Sequence, residues 1–108
     1  MMKQNSFRDF ILEQLRELEG LECRRMFSGY GLYQGSTFFA IVTSRGRLYF
    51  KTNPETAKRY IVRDMQPFRA SATQTLKNYY EVPSDILDDR RELTSWAREA
   101  IHLSSSIL

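Results

Sequence analysis

Met26-Phe27-Ser28-Gly29-Tyr30-Gly31-Leu32-Tyr33, with Gly35 just beyond, is the stretch from which the fold is read. Its glycines are interleaved with aromatics and preceded by Arg24-Arg25, a pattern of strands that bend or bulge where side chains would obstruct a neighbouring backbone. Two chemical motifs come close and fail. A nucleophile elbow around Ser28 requires glycine where Met26 stands, and a dinucleotide fingerprint beginning at Gly29 requires glycine where Gln34 stands. The stretch is therefore structural, with Met26, Phe27, Gly29, Tyr30, Gly31 and Tyr33 as its framework, and it supplies one or two short strands.

Upstream, Phe7, Phe10, Ile11, Leu15 and Leu18 recur at helical spacing, with Asn5 or Ser6 as N-cap and Gly20 after the last apolar position. A first helix over about residues 6–19 is expected. Downstream, Thr37 to Thr43 is a β-branched and aromatic run that reads as a central strand. Ser44-Arg45-Gly46 offers a three-residue hairpin loop, and Arg47 to Lys51 returns as the partner strand.

Asn53-Pro54 starts a second, short helix that buries Ala57, Tyr60 and Ile61. Pro67 ends that region. Phe68 to Ser71 and Leu76 to Val82 read as strands joined through Ala72-Thr73-Gln74-Thr75, and Pro83 stops the sheet. Ser84 caps a single turn holding Ile86 and Leu87, and Asp89 with Glu92 forms an acidic capping box for the last helix. That helix carries a clear stripe of Leu93, Trp96, Ala97, Ala100 and Ile101, before a serine-rich end at Ser104-Ser105-Ser106 that is expected to fray. The order is α-β-β-β-α-β-β-α: a two-layer α+β domain over residues 1–108, with an antiparallel sheet of about five strands and helices on one face.

At 108 residues the chain suits one domain that buries roughly 65% of its unfolded surface, enough for a core without disulfides. The single Cys23 has no partner for a bridge, and the first residues lack an apolar signal core, so a reducing cytoplasm is expected and no membrane span. The formal net charge of +3 is unevenly placed: residues 24–80 hold ten Lys/Arg against Glu55 and Asp64. Such a middle can favour an anionic partner, although a solvated basic surface is the commoner meaning.

Tyr79-Tyr80-Glu81-Val82-Pro83, together with Met26 to Tyr33, Leu48 to Lys51, Pro67-Phe68 and the Trp96-Ala97 helix, resembles the TfoX/Sxy N-terminal domain family across nearly the whole chain. Ser28 stands where that family usually has glycine. The resemblance implies a small α+β domain that acts through protein contacts in competence-type transcriptional regulation, without catalysis. The C-terminal domain carried by competence regulators of that family is expected to be absent, leaving a stand-alone N-terminal domain.

No enzyme is expected from the residues themselves. Cys23 with His102 is the only thiol–imidazole pair on offer, and each has an ordinary structural use, the thiol as a small apolar residue and the imidazole at a helix end. One Cys and one His do not fill a zinc shell, so neither metal nor cofactor is expected. Asp88-Asp89 lies at a helix start, where acids are favoured by the dipole.

The hairpin register then assigns an interaction face. With Ser44 to Gly46 as the loop, Thr43 pairs with Arg47, Val42 with Leu48, Ile41 with Tyr49, Ala40 with Phe50 and Phe39 with Lys51. Phe38, Ala40, Val42, Leu48 and Phe50 form one apolar face for the Trp96 and Phe10 stripes to cover. Phe39, Ile41, Arg47, Tyr49 and Lys51 share the other, the candidate contact face of a homodimer or of a protein in the transcription machinery. Aromatics among basic groups also suit single-stranded nucleic acid, which makes a nucleic-acid module the alternative, with Arg24, Arg25 and Arg45 as its basic patch.

Overall fold

In the computed structural model, which describes residues 3–26 and 29–105, the elements are α1 (Lys3–Gln14), β1 (Leu21–Met26), β2 (Gly29–Gln34), β3 (Thr37–Val42), β4 (Leu48–Lys51), α2 (Ala57–Ile61), β5 (Pro67–Ser71), β6 (Gln74–Glu81), α3 (Ser84–Leu87) and α4 (Arg90–Ser105). The strands form one antiparallel sheet in the order β1-β2-β3-β4-β6-β5. The α+β, single-sheet reading is thus correct. There are six strands rather than about five, because the glycine-rich region builds two, β1 and β2.

Several boundaries move for local reasons. α1 begins at Lys3, ahead of the expected cap, and its regular part stops at Gln14. Beyond it the turns tighten, with Arg16 N–H donating to the Glu13 carbonyl and Leu18 N–H to that of Leu15, until Gly20 turns the chain. Ahead of α2, Asn53 and Thr56 cap one another: Thr56 N–H donates to Asn53 Oδ1 at 2.8 Å and Asn53 N–H to Thr56 Oγ1 at 3.0 Å. At α3 the cap is Pro83 instead of Ser84. Asp89 Oδ1 accepts from Glu92 N–H at 3.1 Å, the expected half of a capping box. Pro67 opens β5 instead of closing the preceding region, and Ser71 pairs with Gln74, which shortens that hairpin loop to Ala72-Thr73. Ser104 and Ser105 belong to α4, where their hydroxyls donate to the Ala100 and Ile101 carbonyls at 2.9 and 3.0 Å, while Ser106 lies outside the described residues.

The β3–β4 register is the expected one. Ala40 pairs with Phe50, Ile41 with Tyr49 and Val42 with Leu48, and Gly46 takes φ +84° in the three-residue loop, a conformation that a side chain would strain. The adjacent β2–β3 ladder is irregular. Leu32 pairs with Ala40 and Tyr33 with Phe38, leaving Phe39 as an extra residue. Phe39 and Ala40 therefore both join the helix-side core, and Phe38 moves to the other face. This corrects the assignment of Phe39 to the contact face and of Phe38 to the core: strict alternation fails across a bulge.

The main core lies between the sheet and the helices. Phe39, Ala40, Val42, Leu48 and Phe50 meet Ile11, Leu15, Tyr60, Ile86 and the Leu93-to-Ile101 stripe of α4. All four helices contribute to this cluster, and the outer-face cluster holds none of their described residues. Phe10 is 39% exposed, so Ile11 and Leu15, rather than Phe10, turn α1 onto the sheet.

Since Phe39 is fully enclosed and Phe38 only half-buried, Phe39→Ala is expected to cost about 3–5 kcal/mol and Phe38→Ala less than half of that. Chemical denaturation of the two variants checks the bulge. Equal losses, or a larger loss at Phe38, would contradict it.

Candidate interaction surface

On the face away from the helices, a second cluster is built from Ile41, Tyr49 and Tyr79, with Phe38, Phe68 and Leu76 packed against it. Tyr49 meets the Phe68 ring edge-on at 5.0 Å between centroids, and Phe38 bridges Tyr33 (5.2 Å) and Tyr79 (5.7 Å). Beneath that bridge lies Gly31. A Cβ there would come within 2.8 Å of the Met26 sulfur and 2.9 Å of the Phe38 ring, so the glycine leaves the space into which the displaced Phe38 settles. Of the remaining framework residues, Gly29 pairs with Met26 at the β1–β2 turn, and Phe27 lies outside the described residues.

The expected contact face is consequently not open. Ile41 and Tyr49 are 4% and 8% exposed, because Phe68 of β5 and Phe38 close over them. Toward solvent this face carries charged side chains among half-buried rings. Arg47 donates to both carboxylate oxygens of Glu81 at 3.0 and 3.1 Å, and Lys51 Nζ stands 5.6 Å from the Tyr79 ring centre. A stacking platform for bases would need open rings, and here Tyr49 is buried while the Arg24 guanidinium covers Tyr33 at 4.3 Å.

Nor do the three arginines of the basic patch converge. Arg24 and Arg25 are adjacent in β1 and so point to opposite faces. Arg24 joins Tyr33 and Glu22 on the outer face, whereas Arg25 stands 5.8 Å from the Tyr30 ring, whose hydroxyl accepts from Arg8 of α1 at 3.1 Å. Arg45 sits on the β3–β4 loop, at the rim of a small recess that also includes Met26, Ile41 and Phe68.

Burial pushes the Cys23 thiol up, the opposite direction from an activated nucleophile, despite the neighbouring Arg8. His102 is on the exposed flank of α4, beside Glu17, Glu19 and Gln34. Among the described residues no three His, Cys, Asp or Glu side chains gather as metal ligands, and no helix is long and apolar enough to cross a membrane.

The apolar surface lies elsewhere, on α2. Tyr60 is inserted against Trp96 (4.9 Å, edge-on) and Tyr80 (6.0 Å), which turns Ile61 and Val62 outward to 52% and 77% exposure. The expectation that Ile61 is buried is thus corrected. A five-residue helix presents one inward edge, and Ala57 and Tyr60 occupy it. Ile61 borders a cleft of about 540 Å³ with Pro54, Ala57, Lys77, Asn78 and Tyr80, and with Thr52 at its base. The element is clamped from outside by Arg59, which stacks 4.0 Å from the Trp96 ring centre and binds Glu99 at 2.7 Å. Nothing in the periodicity distinguished Ile61 from Tyr60. The signal available was the adjacent Ile61-Val62 pair, which a helix this short cannot bury together.

The family model of the TfoX N-terminal domain matches residues 13–103, from the end of α1 nearly to the end of α4. No curated protein matches the chain significantly.

Ile41 and Tyr49 belong to a packed layer, so the pair Ile41→Asp and Tyr49→Asp is expected to unfold the domain, read as loss of the cooperative thermal transition. A folded double variant would return these residues to the surface. The Tyr79 phenol is pushed up to about 12, chiefly by burial and further by Tyr33, from an ordinary value of 10.0. Its folded value is raised, so the stability it contributes is intact below pH 10 and lost as the pH climbs through about 12. Ultraviolet titration of phenolate should show late-ionising tyrosines, with the melting temperature falling across that window; an early, single ionisation step would contradict this.

Proposed function

The chain belongs to the TfoX N-terminal domain family, and from that premise we propose that it is a non-enzymatic regulatory module that acts by binding a protein of the transcription machinery in the cytoplasm. The observation that carries this reading is the exposed Ile61-Val62 pair beside the α2–β6 cleft. Large apolar side chains held outward on a clamped element, next to a concave apolar wall, are a composition that suits a protein partner's apolar side chain. The polar rim of Asn53, Lys77 and Asn78 supplies hydrogen-bonding groups around it. A homodimer is a further use of the same surface, in place of the buried Tyr49 face. Nucleic-acid binding ranks second, since Arg24, Arg25 and Arg45 do not converge, Tyr49 is buried and Arg24 covers Tyr33.

The test compares the intact chain with Ile61→Asp and Val62→Asp, each expected to keep the wild-type melting temperature within a few degrees. Purified transcription proteins of the source organism should bind the wild type with little change as salt rises, and bind the variants at least about tenfold more weakly, a difference of about 1.4 kcal/mol. Light scattering on the same samples reports the dimer. Unchanged binding by the variants, or tight binding to mixed DNA and RNA that falls steeply with salt, would overturn the reading.

A further inference from the structure

Along the exposed flank of α4 runs a cleft of about 510 Å³, lined by Glu17, Arg90, Arg91, Thr94, Ser95 and Arg98. Helical spacing collects these groups: Arg91, Ser95 and Arg98 follow one another at four and three residues, and Thr94 follows Arg90 at four. Arg90 reaches Glu13 only at 3.5 Å, and among the described residues Arg91 and Arg98 have no ion-pair partner.

Thr94 is the informative member. It is 6% exposed, and its hydroxyl, like Arg90 Nε, is buried with no hydrogen-bond partner. A hydroxyl within a helix ordinarily returns its proton to the carbonyl four residues back, as Ser104 and Ser105 do in this same helix. At Thr94 that internal solution is not taken, and a site of this shape would take valine with nothing lost to the fold.

We propose that this cleft binds a phosphate-class oxyanion carried on a small solute, held by Arg91 and Arg98 with Ser95 and Arg90 donating beside it and the Thr94 hydroxyl, closed off in the cleft as it stands, turning to join them. Guanidinium forks match the geometry of phosphate oxygens, and hydroxyl donors complete the coordination. Glu17, in the opposite wall, limits the charge that the site tolerates. It also argues against a nucleic-acid track, as does the lack of an aromatic ring among the lining residues to take a base. This site lies on α4 and does not depend on the α2 surface.

The experiment is calorimetric titration of the intact protein at low salt with pyrophosphate, with ribose 5-phosphate and with a short single-stranded oligonucleotide. Pyrophosphate or the sugar phosphate should bind saturably, one per chain, with Kd of about 1 mM or tighter. Arg98→Gln should weaken binding about tenfold, the size of a lost charge-assisted hydrogen bond, and Glu17→Gln should tighten it. Thr94→Val should weaken binding several-fold while the melting temperature holds or rises, a split that a structural hydroxyl would not produce. The proposal fails if neither small phosphate saturates, if Arg98→Gln leaves affinity unchanged, if Thr94→Val lowers the melting temperature, or if the oligonucleotide binds far more tightly than either.

Discussion

The extra residue at Phe39 is the constraint on which both layers of the domain depend. In a sheet without the bulge, Phe39 would share the outer face with Ile41, and the helix-side core would have Phe38 in its place. Inserting one residue opposite the Leu32-Tyr33 step turns Phe39 inward beside Ala40, where its ring meets Phe50 at 6.1 Å, and releases Phe38 outward. The released ring then needs a floor. Gly31 provides it, which ties the glycine-rich stretch in β2 to an aromatic seven residues away on β3. Bulge and glycine are thus two halves of one packing solution: a side chain at Gly31 would push Phe38 off the sheet, and Phe38 in register would leave the Gly31 hollow unfilled.

The consequence is a sheet packed on both sides by different means. Helices cover one face, while the other is closed by its own aromatics and by the β5 end of the sheet, with Phe68 against Tyr49. Burial of phenols in that outer layer explains why Tyr49 and Tyr79 are both pushed up, Tyr49 with Glu81 adding to the effect of burial and Arg47 opposing it. A face closed in this way keeps Ile41, Tyr49 and Tyr79 from solvent and leaves its other rings half-buried among charges. The surface available for apolar contact therefore shifts to the one element that packs by a single edge, α2, whose outward side is left bare while Tyr60, Trp96 and Arg59 hold it in place.

Most of the fold could be read from local chemistry, because local chemistry determined it. Gly46 fixed the length of the β3–β4 loop and with it the register, Asn53 and Asp89 each accept a backbone N–H in the turn that follows, although α2 starts only at Ala57 after Thr56 rather than at Pro54, and the Leu93-to-Ile101 stripe is buried as its spacing requires. The candidate face was less legible. Its assignment needed alternation to hold from Phe38 to Val42, and a bulge is a property of two strands together, set by what Gly31 leaves vacant on the neighbour. The Arg24-Arg25 pair was misread for a related reason. Adjacent charges look like a patch along the chain, and only the recognition of β1 as a strand separates them across the sheet.

Two buried hydroxyls remain without partners among the described residues, Thr52 at the base of the α2 cleft and Thr94 in the α4 cleft. Each could be replaced by valine with little change of volume, and an unsatisfied buried hydroxyl costs roughly 1–3 kcal/mol. In a domain whose whole stability is of order 5–15 kcal/mol, such groups are expensive to carry twice. Both sit in clefts. Local disagreement between a residue and the needs of its fold concentrates where the fold serves something other than itself. By that argument the two clefts, rather than the closed sheet face, are the places proposed for contact with other molecules.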